Sequence, residues 1–138
     1  MERKARILLT KIGLDAHDTG VELLAKTLRD AGIEVIYLGK YQTPEQIARS
    51  AVQEDVDIIG ISSLIANYDL MVDLLNFLKE QNQEDIPVIV GGRIAPQHAL
   101  MLKKAGIREV FLPSNSLESI IDYIKSQVRK EGTDPAKI

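Results

Sequence analysis

Short, almost purely apolar runs alternate along the chain with longer stretches in which apolar residues recur every three or four positions. The runs cover residues 6–10, 34–38, 57–62, 87–90 and 109–112. They are rich in Ile, Val and Leu and nearly free of polar interruptions. This predicts strands covered on both faces, as in a parallel sheet.

The stretches between them predict helices. After Gly20, Val21, Leu24, Ala25 and Leu28 follow the i, i+3, i+4, i+7 pattern, and Gly32 stands where the helix should stop. The next helix opens on Thr43-Pro44-Glu45-Gln46, with Thr as N-cap, Pro at the first helical position and Gln closing a capping box. A third is expected over 68–80 with Leu70, Met71, Leu74, Leu75 and Leu78 inward, a fourth over 97–105 ending at Gly106, and a fifth over 117–129 with Ile120, Ile121, Ile124 and Val128 on one side. Strict alternation implies right-handed βαβ units in a single α/β, doubly wound domain of the Rossmann or flavodoxin-like type, with a five-stranded parallel sheet in the order 2-1-3-4-5. We expect this domain to cover residues 1–130 and residues 131–138 to be a flexible tail.

Composition narrows the chemistry. A chain of 138 residues with 45% apolar and 27% charged residues can bury a core without staples. It has no Cys, which excludes a disulfide framework, a thiolate metal site and a Cys nucleophile. A net charge of −3, no Trp, four Tyr and two Phe argue against nucleic acid or a membrane surface as partner. With no membrane-length apolar run and no signal-peptide core, the expected compartment is the cytoplasm.

In such folds ligands bind beyond the carboxyl ends of the strands. After strand 1 comes a long polar loop from Lys11 to Gly20, holding Asp15, His17 and Asp18; Ser62-Ser63-Leu64 follows strand 3, Gly91-Gly92-Arg93 strand 4, and Pro113-Ser114-Asn115-Ser116 strand 5. A neutral imidazole is the commonest nitrogen ligand of a transition metal, and its second nitrogen usually donates to a carboxylate, a role open to Asp15 with Lys11 as a further partner. One His without other good ligands suits a metal already held in a macrocycle. Gly20, Gly91 and Gly92 lack side chains where a bulky group could approach backbone. Each feature alone has an ordinary reading: a capping loop for Asp-x-His-x-x-Gly, a satisfied strand end for Ser62, a turn for Gly91-Gly92. His98 and the Lys103-Lys104 pair read as surface residues.

Together, Asp15-x-His17-x-x-Gly20, Ser62-x-Leu64 and Gly91-Gly92 resemble the three signature segments of the cobalamin-binding domain, over nearly the whole chain. The segments 11–18, 42–45 and 60–64 more narrowly resemble the methylmalonyl-CoA mutase family, and the length resembles its separate small subunits, as in isobutyryl-CoA and 2-hydroxyisobutyryl-CoA mutases. The resemblance implies adenosylcobalamin bound with its benzimidazole tail off cobalt. His17 is then the lower axial ligand, Asp15 its hydrogen-bond partner and Lys11 behind it. Asp18, Gly20, Ser62, Leu64, Gly91, Gly92 and Ser114 complete the implied cofactor site. It also implies a radical carbon-skeleton rearrangement, with the acyl-CoA pocket in a large TIM-barrel subunit, no catalytic residue in this chain, and a GTPase chaperone as a further candidate partner. Departures from the family pattern are Ala16, Thr19, the segment 65–68 and Arg93.

A corrinoid methyl carrier is the alternative; such proteins usually carry a helical cap before strand 1, which begins here about six residues in. A cobalamin sensor needs an output domain. A receiver domain needs an Asp where Ser62 stands, and a flavodoxin needs aromatics that are scarce here.

Overall fold

The computed structural model describes residues 4–12, 19–62 and 68–128. Strands and helices alternate as β1 (Arg6–Ile12), α1 (Thr19–Asp30), β2 (Glu34–Gln42), α2 (Pro44–Gln53), β3 (Ile58–Ser62), α3 (Tyr68–Glu80), β4 (Val88–Gly91), α4 (Pro96–Ala105), β5 (Glu109–Phe111) and α5 (Leu117–Ser126). The strands form one parallel sheet in the order β2-β1-β3-β4-β5, as expected.

Alternation of side chains along each strand divides the core in two. Leu8, Ile59, Ile61, Val88 and Val90 join Ile47, Ala51, Met71, Leu74, Leu78 and Leu102 on the face covered by α2, α3 and α4. Ile7, Leu9, Ile58 and Ile89 join Val21, Ala25, Leu28 and Ile124 under α1 and α5. The runs lacked polar interruptions because both faces of the sheet are covered.

Local signals acted as expected. The Gln46 amide donates to Thr43 Oγ1 at 3.2 Å and the Thr43 amide to Gln46 Oε1 at 2.9 Å, a complete capping box with Pro44 at the helix start. Helix α1 is followed by Gly32 at φ +90° and α4 by Gly106 at φ +124°, conformations that L side chains rarely adopt.

The boundaries differ where polar residues continue a strand. β1 runs on through Lys11 and Ile12, and β2 through Gln42. The β1–β2 pairing slips twice, from Leu9↔Tyr37 to Thr10↔Gly39 and then to Ile12↔Gln42, while Thr10 Oγ1 donates to the Gly39 carbonyl at 3.0 Å. Helix α5 ends at Ser126, short of the expected 129. The expected tail, 131–138, lies outside the described residues. Among those residues no helix is long and apolar enough to cross a membrane.

Candidate functional site

Two glycines fall on the α1–α5 face of the two central strands. Gly60 of β3 pairs with Leu9 on one side and Ile89 on the other, and Ser62, two residues further, pairs with Gly91 of β4. A Cβ on Gly60 would stand 3.0 Å from Ile7 Cδ1 and 3.3 Å from Leu9 Cδ1; one on Gly91 would stand 3.7 Å from the Phe111 carbonyl. The neighbouring Ile7 and Leu9 side chains lean over the backbone at Gly60, only the Phe111 carbonyl is near Gly91, and the helices above leave a gap. A cavity of about 340 Å³ results. It runs from Ser62, Gly92, Pro113 and Asn115 at the carboxyl edge to Ile7, Leu28 and Ile124 inside. Its volume and mainly apolar walls are those of a small-molecule site.

Polarity is confined to the mouth. Among the described residues no charged side chain lines the cavity, and only Ser62 and Asn115 bring polar side chains to it. Asn115 closes the turn after β5: its Oδ1 accepts from the Leu112 amide at 2.7 Å, and its own amide donates to the Leu112 carbonyl at 2.9 Å. Phe111 meets Tyr123 edge to face, with ring centroids 5.7 Å apart. Burial holds the Tyr123 phenol above its ordinary pKa, Glu109 adding to the effect and Arg108 opposing it.

The structure locates the residues expected from sequence unevenly. Ser62, Gly91 and Gly92 come together on the cavity wall, and Gly20 lies in the first turn of α1. Lys11, expected in the loop after β1, stands inside that strand and is 1% exposed, its Nζ donating to the Ser62 carbonyl at 3.5 Å. The long aliphatic stem lets an ammonium cross from one strand end to the next. Ser114 and Asn115 are both exposed; Asn115 lines the mouth of the cavity and Ser114 does not. Asp15, His17, Asp18 and Leu64 lie outside the described residues. Among the described ones, no three His, Cys, Asp or Glu side chains are grouped to hold a metal ion.

Gly60 and Asn115 belong to segments singled out in the sequence but, like Phe111, were not named there as site residues. Gly60 had a usable signal: it sits at period-two spacing between Ile58 and Ser62, on the face where a side chain was due.

A doubly wound parallel domain hollowed between its first and last helices, and open along the carboxyl edge, is a ligand-binding module. The family model described as the B12 binding domain matches residues 5–117, and the chain belongs to that family. It is 43% identical to the 2-hydroxyisobutanoyl-CoA mutase small subunit of Aquincola tertiaricarbonis, covering 92% of this chain and 94% of that one. It is 38% identical to the pivalyl-CoA mutase small subunit of Xanthobacter autotrophicus, covering 93% and 86%. A solved cobalamin-binding protein from Desulfitobacterium hafniense shares the fold, with a TM-score of 0.77 at 22% identity, covering 91% of this chain and 60% of that one.

Proposed function

We propose that this chain is the cobalamin-binding small subunit of a heteromeric acyl-CoA mutase and that it takes adenosylcobalamin. The observation that carries the reading is the mainly apolar slot beside the sheet, lined by Gly60, Gly91 and Gly92 and with Ser62 and Asn115 at the carboxyl edge. The residues fit that cofactor, because a flat nucleotide tail needs a narrow, deep, mostly hydrocarbon space with polar groups only where it enters. Both small-subunit relatives are parts of acyl-CoA mutases, which supports a large subunit as partner.

In this reading His17 is the protein ligand to cobalt and Asp15 accepts a hydrogen bond from its other ring nitrogen. Lys11, near the end of β1 and six residues before His17 in the sequence, ties that strand to the end of β3 through the Ser62 carbonyl. Asp18, Gly20, Ser62, Leu64, Gly91, Gly92 and Ser114 line the route of the tail in this reading, with Asn115, next to Ser114, at the cavity mouth. The cofactor, when bound, supplies the radical chemistry of a carbon-skeleton rearrangement, and the protein's part is binding, orientation and control of cobalt ligation. The acyl-CoA thioester belongs to the large TIM-barrel subunit, so the small chain alone is inactive. A GTPase chaperone that loads the cofactor is a second candidate partner, and the assembly works in the cytoplasm.

The test is the electron paramagnetic resonance spectrum of cob(II)alamin with this chain, prepared in natural nitrogen and in nitrogen-15. Superhyperfine triplets that become doublets identify a protein nitrogen on cobalt, and His17→Ala should abolish the doublets while leaving the circular dichroism native. Triplets that persist in nitrogen-15 protein, alone and with a large subunit, overturn the reading.

A further inference from the structure

We infer that Thr10 is a positioning residue for the cofactor site: its hydroxyl pins the irregular pairing of β1 with β2 and so fixes Lys11 against the Ser62 carbonyl. The inference rests on the reading above, in which cobalamin binds at this edge of the sheet.

Thr10 is a polar residue where hydrocarbon is the rule. It is fully buried on β1, between β2 and β3, two residues beyond Leu8 and on the same face. Its hydroxyl donates to the Gly39 carbonyl at 3.0 Å and shares the proton with the Lys11 carbonyl at 3.2 Å. Toward β3 the register is unbroken, Leu9 meeting Gly60 and Thr10 meeting Ile61; toward β2 it slips on both sides of Thr10. From Leu9 to Ile12 the partner strand runs from Tyr37 to Gln42, so β2 carries two residues too many for a regular ladder. Gly39 takes the first slip at φ +90°. Extra residues disrupt a ladder and bend the strand that carries them. The Thr10 hydroxyl, from the opposite strand, restores a bond across the gap.

Lys11 follows at once. It is 1% exposed and donates from Nζ to the Ser62 carbonyl at 3.5 Å, and Ser62 lines the cavity. Thr10 therefore ties the end of β1 to β2 while Lys11 ties it to β3. With the hydroxyl removed, the Gly39 carbonyl loses this donor and the β2 side of the clamp opens. A ligand then has to order the strand end itself, and ordering a site on binding costs affinity that a preformed site keeps. The regular pairing of Leu8 and Leu9 below the slip is untouched, so the loss falls on affinity more than on the fold.

The experiment titrates cob(II)alamin into the full chain and three variants. Affinity is followed by absorbance, the nitrogen-15 doublets by electron paramagnetic resonance, and folding by circular dichroism. Thr10→Val removes the hydroxyl at nearly constant shape; it should bind about fivefold more weakly, the worth of one hydrogen bond, and show a smaller share of doublets at equal cobalamin. Thr10→Ser keeps the hydroxyl and should bind as the parent chain does. Gly39→Ala keeps Thr10 but strains the slip, and should weaken binding as Thr10→Val does. Parental affinity in Thr10→Val, or weakening in Thr10→Ser equal to that in Thr10→Val, overturns the inference and leaves the cofactor reading intact. Should Thr10→Val fail to fold, parental affinity in Gly39→Ala overturns it in the same way. A parent chain without doublets, alone and with a large subunit, overturns the reading and the inference with it.

Discussion

Ile7 occupies the space in front of Gly60: a Cβ on the glycine would stand 3.0 Å from the Ile7 Cδ1, closer than side chains normally pack. The two residues lie on adjacent strands, both line the cavity, and the glycine allows the isoleucine to lie flat against the sheet. A Cβ at Gly60 makes Ile7 or Leu9 give by a few tenths of an ångström, and a larger side chain there takes up room in the slot itself.

Gly60→Val therefore separates binding from folding. The variant should keep a native circular dichroism spectrum and lose about 1–3 kcal/mol of stability from overpacking. Its affinity for cobalamin should fall by about tenfold or more, since obstructing the slot removes apolar contact and adds strain. Affinity equal to that of the parent chain would show that the ligand does not use this floor.

The capping box of α2 gives a prediction of stability alone. Thr43→Ala removes the acceptor of the Gln46 amide and should cost about 1 kcal/mol. Urea denaturation should show a lower midpoint with an unchanged slope. A midpoint that does not move would mean that solvent satisfies the Gln46 amide as well as the Thr43 hydroxyl does.

Tyr123 gives a pH dependence. Its folded pKa is raised, first by burial and then by Glu109, so the folded protein holds the phenolic proton more tightly than the unfolded chain does. The resulting stability is fully present below the unfolded pKa of about 10 and is lost as pH rises through the folded value. Thermal denaturation between neutral pH and pH 11 should show a smaller alkaline loss in Tyr123→Phe than in the parent chain. Parallel curves would assign the alkaline loss to other groups.

The fold was legible because the signals that specify it are local and repeated. The segment 68–80 was bounded correctly by its apolar spacing, and Thr43-Pro44-Glu45-Gln46 marked the start of α2 within one turn. The end of β2 was not legible, since Gly39, Lys40, Tyr41 and Gln42 form no apolar run, and the ladder that holds them depends on a slipped register against Thr10 and Ile12. Such pairing is a property of two strands brought together, not of either one read alone.

At the strand ends three residues of the cavity wall were legible, while its floor was hidden. Ser62, Gly91 and Gly92 stood at strand ends, where a ligand is expected, and the structure brings them together. Gly60 was read as part of the segment 60–64 but not as a wall of the site, because inside an apolar run a missing side chain resembles ordinary strand. Asn115 lines the cavity mouth through a turn closed by its two hydrogen bonds with Leu112, a geometry that the run Pro113-Ser114-Asn115-Ser116 does not spell out.

The asymmetry between the two faces of the sheet has a thermodynamic side. On the α2–α4 face the interior is finished by the chain's own side chains. On the α1–α5 face, Leu9, Leu28, Ile89 and Ile124 belong at once to the core and to the wall of the slot. These four residues are buried without a ligand, so a ligand seated there adds apolar contact to a wall already formed and stabilises the fold through mass action.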